Sequence, residues 1–303
     1  MILVVGSTGE LGGRVVQQLV DRGKAVRSLV RPQTDGGPLE ALGVQIARGD
    51  LTDVASLRSA CSGVDTVICT ATAIARRLSG KGGPSIREVD EVGVAALIEV
   101  AQATGVEHFV YVSYAGADAG LGFPLERAKI ATEERLRESA MHVTILRPDA
   151  FQEIHLAPIG RFDVQERKVA VFGKGDTRRR WVSTDDVSAL IASVSTQPGS
   201  SSLIEFGGPE AISRNQLVTV AEQLTGHKMK RQNMPRAIAR LGMRLLDRPN
   251  PALASVFGTG LLLDLDEGHW DDAPYESVAS NRDPPRRFFK TKHNRWATAE
   301  FRE

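Results

Sequence analysis

The clearest chemistry lies near the start of the chain. Gly6-Ser7-Thr8-Gly9-Glu10-Leu11-Gly12 spaces its glycines as G-x-x-G-x-x-G, directly after the apolar run Ile2–Val5 and at the head of a helical pattern. That order suits a dinucleotide phosphate. Gly6 permits the tight turn, Gly9 lets the backbone approach a pyrophosphate, and Gly12 lets helix and strand pack closely. Unpaired N–H groups at the helix start then face the phosphates. Arg31 ends a second apolar run. An NAD site places a carboxylate there for the ribose 2′-hydroxyl, whereas a guanidinium pairs with a 2′-phosphate, so NADP(H) is the expected cofactor. Asp50 can accept from an adenine amino group and Leu51 can cover the ring, while Asp53 starts the next helix. Thr70 and Ala71 are small enough to let a dinucleotide cross the strand tips.

Alternating strands and helices must hold these residues. Strand patterns occur at Ile2–Val5, Ala25–Val30, Val44–Ala47, Thr66–Cys69, His108–Val112 and Val143–Leu146. Several are apolar throughout, as strands covered on both faces are. Helical periodicity runs over Leu11–Val20 and Ile86–Ala103, and Glu126–Glu138 reads as a charged, mostly exposed helix. The alternation predicts an α/β fold, a Rossmann-type doubly wound parallel sheet over residues 1–150. After Pro148 the pattern loosens into a small C-terminal substrate lobe, residues 151–276. Its expected strands are Val169–Phe172, Trp181–Val182 and Leu203–Phe206. Its expected helices are Asp185–Ser195, capped by Thr184, then Gln216–Thr225, Pro235–Leu246 and Pro251–Phe257. Ser213 caps the second of these and Gly226 stops it. The lobe is read as interleaved, with helix 185–195 packing back on the first domain. Residues 277–303 read as a basic, weakly ordered tail.

Composition narrows the partners. The 303 residues are 42% hydrophobic and 25% charged, ordinary for a chain with a large core. A net charge of +1 offers no global field for nucleic acid, and the run Arg178-Arg179-Arg180 reads as a solvated face. No run approaches about 18 apolar residues, so no membrane span is expected. Cys61, Cys69 and six scattered histidines form neither a disulfide framework nor a metal site. A reducing, cytoplasmic setting is the expectation, with no leader peptide.

Together these segments resemble the atypical and extended short-chain dehydrogenase/reductase superfamily, and within it the NmrA-like, isoflavone-reductase-like NAD(P)H-binding family. The resemblance also runs through Gly105-Val106-Glu107-His108-Phe109-Val110-Tyr111-Val112-Ser113, Thr144-Ile145-Leu146-Arg147-Pro148, Val182-Ser183-Thr184-Asp185-Asp186-Val187 and Gly207-Gly208-Pro209-Glu210. It implies that Pro148 joins the cofactor contacts and that Ser113 polarises a carbonyl. In that superfamily a tyrosine precedes a lysine by four residues on one helix. The lysine binds the nicotinamide ribose and lowers the tyrosine pKa, and the tyrosine transfers the proton. Here Lys129 matches, and Leu125 stands where the tyrosine would be. A leucine cannot donate a proton, which leaves Lys129 as the catalytic member of the pair and a ribose ligand. Tyr114, Phe151, Phe162 and helix 235–246 are the expected substrate-pocket lining.

Two functions fit. One is an NADPH-dependent oxidoreductase acting on a small carbonyl, quinone or enone, with Lys129 as proton source. The other is a non-catalytic NADP(H)-sensing regulatory or assembly protein with a homodimeric or protein partner. A sugar-nucleotide epimerase would need the missing tyrosine. An open apolar pocket over the nicotinamide favours the enzyme, and a filled one favours the sensor.

Overall fold

A computed structural model describes residues 1–78, 80, 82–197 and 203–268. The strands β1 (Ile2–Val5), β2 (Val26–Val30), β3 (Gln45–Arg48), β4 (Thr66–Cys69), β5 (His108–Val112) and β6 (His142–Pro148) come first. The chain then leaves the sheet for β7 (Phe162–Asp163), β8 (Lys168–Phe172) and β9 (Arg178–Arg179). It returns as β10 (Leu203–Phe206) and leaves again as β11 (Ile212–Ser213) and β12 (Lys230–Met234). The main sheet has seven strands in the order β10-β6-β5-β4-β1-β2-β3, and every pairing in it is parallel. This is the Rossmann-like α/β architecture that the sequence predicts.

The helices are α1 (Glu10–Asp21), α2 (Gly37–Glu40), α3 (Val54–Cys61), α4 (Ile74–Leu78), α5 (Val94–Ala103) and α6 (Pro124–Arg137) in the first half. The second half adds α7 (Gln152–His155), α8 (Thr184–Val194), α9 (Arg214–Thr225), α10 (Arg236–Leu246) and α11 (Pro251–Leu265). Successive strand residues point to opposite faces, so each face needs its own cover. Ile2 and Val4 meet Val15, Val16 and Leu19 of α1 and Val187, Leu190 and Ile191 of α8. Leu3 and Val5 meet Leu57 of α3 and Leu97, Ile98 and Ala101 of α5. Two covered faces explain why the central strand β1 is apolar at every position. Each fully buried aliphatic side chain contributes about 1.5–3 kcal/mol.

Several elements depart from expectation. α6 is charged but not mostly exposed: Glu126, Lys129 and Glu133 are buried. Its charges are matched internally. Arg147 on β6 donates to Glu133 at 3.0 and 2.7 Å, to Asp118 at 2.9 Å and to Glu205 at 2.7 Å. The expected helix 86–103 opens with a π-helix over Arg87–Gly93 before α5 begins. The α8 cap is Ser183, whose hydroxyl accepts from Asp186 N at 3.1 Å, and Thr184 already lies inside the helix. Trp181–Val182 is no strand. Pairing occurs at β9, and Val182 forms one bridge to Phe151. α11 runs past Phe257 through Gly258, where a Cβ would lie 2.2 Å from the Phe123 ring, so glycine there serves close packing. Ser213 and Gln216 form the capping box of α9, and Gly226 ends it at φ 70°. The expected weakly ordered tail lies outside the described residues.

Candidate active site

A single cleft of about 700 Å³ runs along the carboxyl ends of the parallel strands and under the lobe. Its floor begins at the glycine loop. Gly6 has φ +94°, and a Cβ there would lie 2.6 Å from Thr70 Oγ1. A Cβ on Gly12 would lie 2.2 Å from Gly6 O, so only glycine lets α1 approach this closely. A Cβ on Gly9 would meet only Gly6 O, at 3.2 Å, and Gly9 begins α1 with no side-chain cap. The first N–H groups of α1 therefore have no intrahelical or side-chain acceptor, as an anion site requires. Gly6, Thr8, Gly9, Glu10, Leu11 and Gly12 all border the cleft. Ser7 does not: it is 1% exposed, and its hydroxyl has no hydrogen-bond partner.

At the far end Arg31, Asp50 and Leu51 form the wall. Arg31 is half-buried at the tip of β2. Arg48, at the tip of β3, donates to Thr34 O at 2.6 Å and Arg31 O at 3.4 Å, which fixes the loop carrying Arg31. Asp50 Oδ1 accepts from Thr52 N and Oγ1 at 2.9 and 2.8 Å. Asp53 caps α3, accepting from Ala55 N and Ser56 N.

The middle of the cleft holds Thr70, Ala71, Ser113, Tyr114, Leu125, Lys129 and Pro148. Lys129 Nζ donates to Val112 O at 2.9 Å and sits 4.7 Å from the centre of the Tyr111 ring. Burial opposes its charge, but neighbouring Tyr111 and Asp90 outweigh that, and its pKa rises. Asp90, in the π-helix, accepts from Ala73 N at 2.9 Å, and burial pushes its pKa up despite Lys129. Ser113 ends β5 with a buried hydroxyl that has no hydrogen-bond partner. The Tyr114 ring stacks on Phe123 at 6.3 Å, and burial raises its pKa. Tyr111 is fully buried, and burial pushes it up to about 12.

The lobe closes the other side. Phe151, Phe172, Val256, Thr259 and Leu263 border the cleft. Phe162 does not. It is fully buried in the lobe core, with the Arg214 guanidinium 5.3 Å over its ring. The pocket-lining helix is α11, not the expected 235–246 segment. The Arg178–Arg180 run is not a solvated face either. Arg179 is 1% exposed and donates to Asp149 Oδ1 at 2.9 and 2.6 Å and to Asp266 O at 2.5 Å.

Residues 6–198 match the family described as NAD(P)H-binding. The chain belongs to that family. It is 31% identical over 251 residues to the Arabidopsis thaliana chloroplastic protein High Chlorophyll Fluorescence Phenotype 244, covering 80% of this chain and 60% of that one. It is 28% identical to photosystem II assembly factor Ycf39 of Trieres chinensis, over 79% of this chain and 74% of that protein. It is 27% identical to the NAD(P)H azoreductase of Xenophilus azovorans, over 76% of each. The solved NADPH-dependent quinone oxidoreductase of Escherichia coli superposes with a TM-score of 0.75 at 21% identity, over 97% of this chain and 100% of that one. An isoflavone reductase structure gives 0.73 at 18%, over 96% and 98%. The fold is that of the solved isoflavone reductase, as the resemblance implied, and an NAD(P)H-binding domain accounts for the glycine cradle.

Three features around the cleft lie outside the expected site residues. Arg48 carries no motif. Asp90 shares its face with Val94, Leu97 and Ile98, a polar residue on an apolar stripe, and that signal was available. Asp264 of α11 accepts from Lys174 N and Gly175 N at 2.9 and 3.0 Å and binds Arg236 at 2.5 Å, which ties the lobe turn to α10. Such long-range pairing leaves no local trace. No helix of the described residues is long and apolar enough to cross a membrane.

Proposed function

We propose that the protein is an NADPH-dependent reductase of a small carbonyl, quinone or enone. The open cleft carries this reading. The cleft that Lys129 borders is also bordered by Leu125, Phe151, Phe172, Val256 and Leu263. An apolar chamber with a few convergent polar groups is what a small substrate needs.

The dihydronicotinamide, when bound, supplies a hydride. The chain's own residues do the rest. The glycine loop and the start of α1 hold the pyrophosphate, Arg31 the 2′-phosphate, and Asp50 and Leu51 the adenine. Lys129 uses one N–H on Val112 O, leaving two for a ribose hydroxyl or a substrate oxygen. Its raised pKa keeps it charged near neutral pH, so it stabilises negative charge growing on that oxygen and delivers the proton, directly or through a water. The Ser113 hydroxyl offers a second hydrogen bond. The relatives named as a quinone oxidoreductase and an azoreductase support this reading. Cys61 and Cys69 are free, buried thiols.

Leu125 in the cleft wall favours a second reading, an NADP(H)-sensing assembly protein, and the relative named as an assembly factor supports it. The deciding measurement is NADPH oxidation by purified protein across quinones, enones and azo dyes. Saturable turnover of one class supports the reductase. Tight NADPH binding with no oxidation across the panel sinks it in favour of the sensor.

A further inference from the structure

We infer that α10 is a docking surface for an anionic lipid bilayer. This helix has two apolar sides. Ala239 and Met243 turn inward, packing with Phe123 and Leu261. Ile238, Leu241 and Leu245, spaced i, i+3, i+7, form a second stripe and are 55%, 56% and 67% exposed. The other large apolar side chains exposed among the described residues are scattered singly or lie at the cleft, and isolated ones need no explanation.

Beside the stripe run Arg240, Arg244 and Arg248, four residues apart and all exposed. Among the described residues none of the three has an ion-pair partner. Arg236, one turn earlier, is held by Asp264, and the acid at the helix end, Asp247, is bound to Arg127 at 2.9 Å. The free charge beside the apolar stripe is therefore all positive. Such a helix lies in a bilayer interface. Its apolar side chains enter the acyl boundary while the long guanidinium chains reach the lipid phosphates.

Other occupants fit less well. The three apolar side chains stand out as a ridge, and a partner protein's helix seats in a groove. A second copy would set one arginine row against another. Residues 277–303 are net basic and do not complement the row; the acidic stretch at 271–276 does, and vesicle binding by the full chain tells the two occupants apart.

The test is sedimentation of the full chain with vesicles of phosphatidylcholine alone and of phosphatidylcholine with about one-third phosphatidylglycerol. Binding is expected to the anionic vesicles and to weaken as salt rises. Arg240→Gln with Arg244→Gln should weaken it roughly 25-fold, at about fivefold per arginine. Leu241→Ser with Leu245→Ser should weaken it by about tenfold or more. Both variants change exposed side chains, so NADPH affinity should stay unchanged and report an intact fold. Equal binding to neutral and anionic vesicles, or none to either, overturns the proposal. So does a dimer in solution that the leucine variant dissolves without any vesicle binding, which would make the ridge an interface between copies.

Discussion

Replacing Lys129 by methionine removes the ammonium and keeps most of the stem. Two costs follow. Val112 O loses its 2.9 Å donor, and an unpaired buried carbonyl costs about 1–3 kcal/mol. Asp90 loses the cation that offsets its burial. The two groups interact through space rather than by an ion-pair contact, so this loss adds less than the roughly 3–5 kcal/mol that breaking a direct buried pair costs. Asp90→Asn removes the charge and keeps an acceptor for Ala73 N, so it should cost less. The double variant leaves no charge stranded and should be at least about 1 kcal/mol more stable than the sum of the single effects. Urea unfolding of the four proteins at pH 7 measures this. Additivity within about 0.5 kcal/mol would refute the coupling. NADPH oxidation separates structure from chemistry. Turnover should fall about 10²–10⁴-fold in both proteins lacking Lys129, and the stability recovered in the double variant should not restore it. A Lys129→Met protein turning over at the unmodified rate would end the catalytic assignment.

Three further outcomes follow from the geometry. Arg31→Ala should erase a preference of about tenfold or more for NADPH over NADH, about 1.4 kcal/mol, and equal calorimetric affinities in the unmodified protein would contradict the 2′-phosphate reading. Gly12→Ala puts a Cβ 2.2 Å from Gly6 O, so α1 must shift; a cost of about 1–3 kcal/mol and at least tenfold weaker NADPH binding are expected, and an unchanged fluorescence titration would count against the cradle. His108 is buried, and its pKa is lowered to about 4, chiefly by desolvation and then by His142, so the unfolded chain binds the proton first as pH falls below 6.5. The stability it contributes is present above pH 6.5 and is lost toward pH 4. About 2 kcal/mol should go between pH 6.5 and 5, and His108→Gln should flatten that slope in urea titrations.

The sheet and the glycine cradle were legible because both are local. A strand buried on two faces needs apolar residues at every position, and close approach of backbone needs glycine at fixed spacing. The charge pattern of α6 misled for a physical reason: Glu133 and Lys129 find their partners on β6 and β5, far away in sequence. The regular helical periodicity expected over Ile86–Ala103 loses phase because a π-turn holds an extra residue. Val92 consequently stands 53% exposed while Asp90 and Gly93 face inward. Phe162 looked like a pocket aromatic, but it anchors the lobe core beneath Arg214. Of the candidate site residues named singly, it and Ser7 fall away from the cleft wall, as does the expected 235–246 helix.

The return of β10 to the open edge beside β6 also bears on synthesis. When residue 148 leaves the ribosome, β6 has its β5 neighbour, but its outer backbone groups have no partner. The strand that satisfies them is encoded at 203–206, and α8, which covers the same side of the core, lies at 184–194. At about 5–20 residues per second, that edge waits roughly 3–12 s for its cover. During that interval the nascent chain presents an apolar, unpaired strand, the feature most prone to mispairing with another chain. Translation pauses that fall after residue 148 has emerged and before residue 206 has should therefore lower the soluble yield, and pauses once residue 210 has emerged should leave it unchanged.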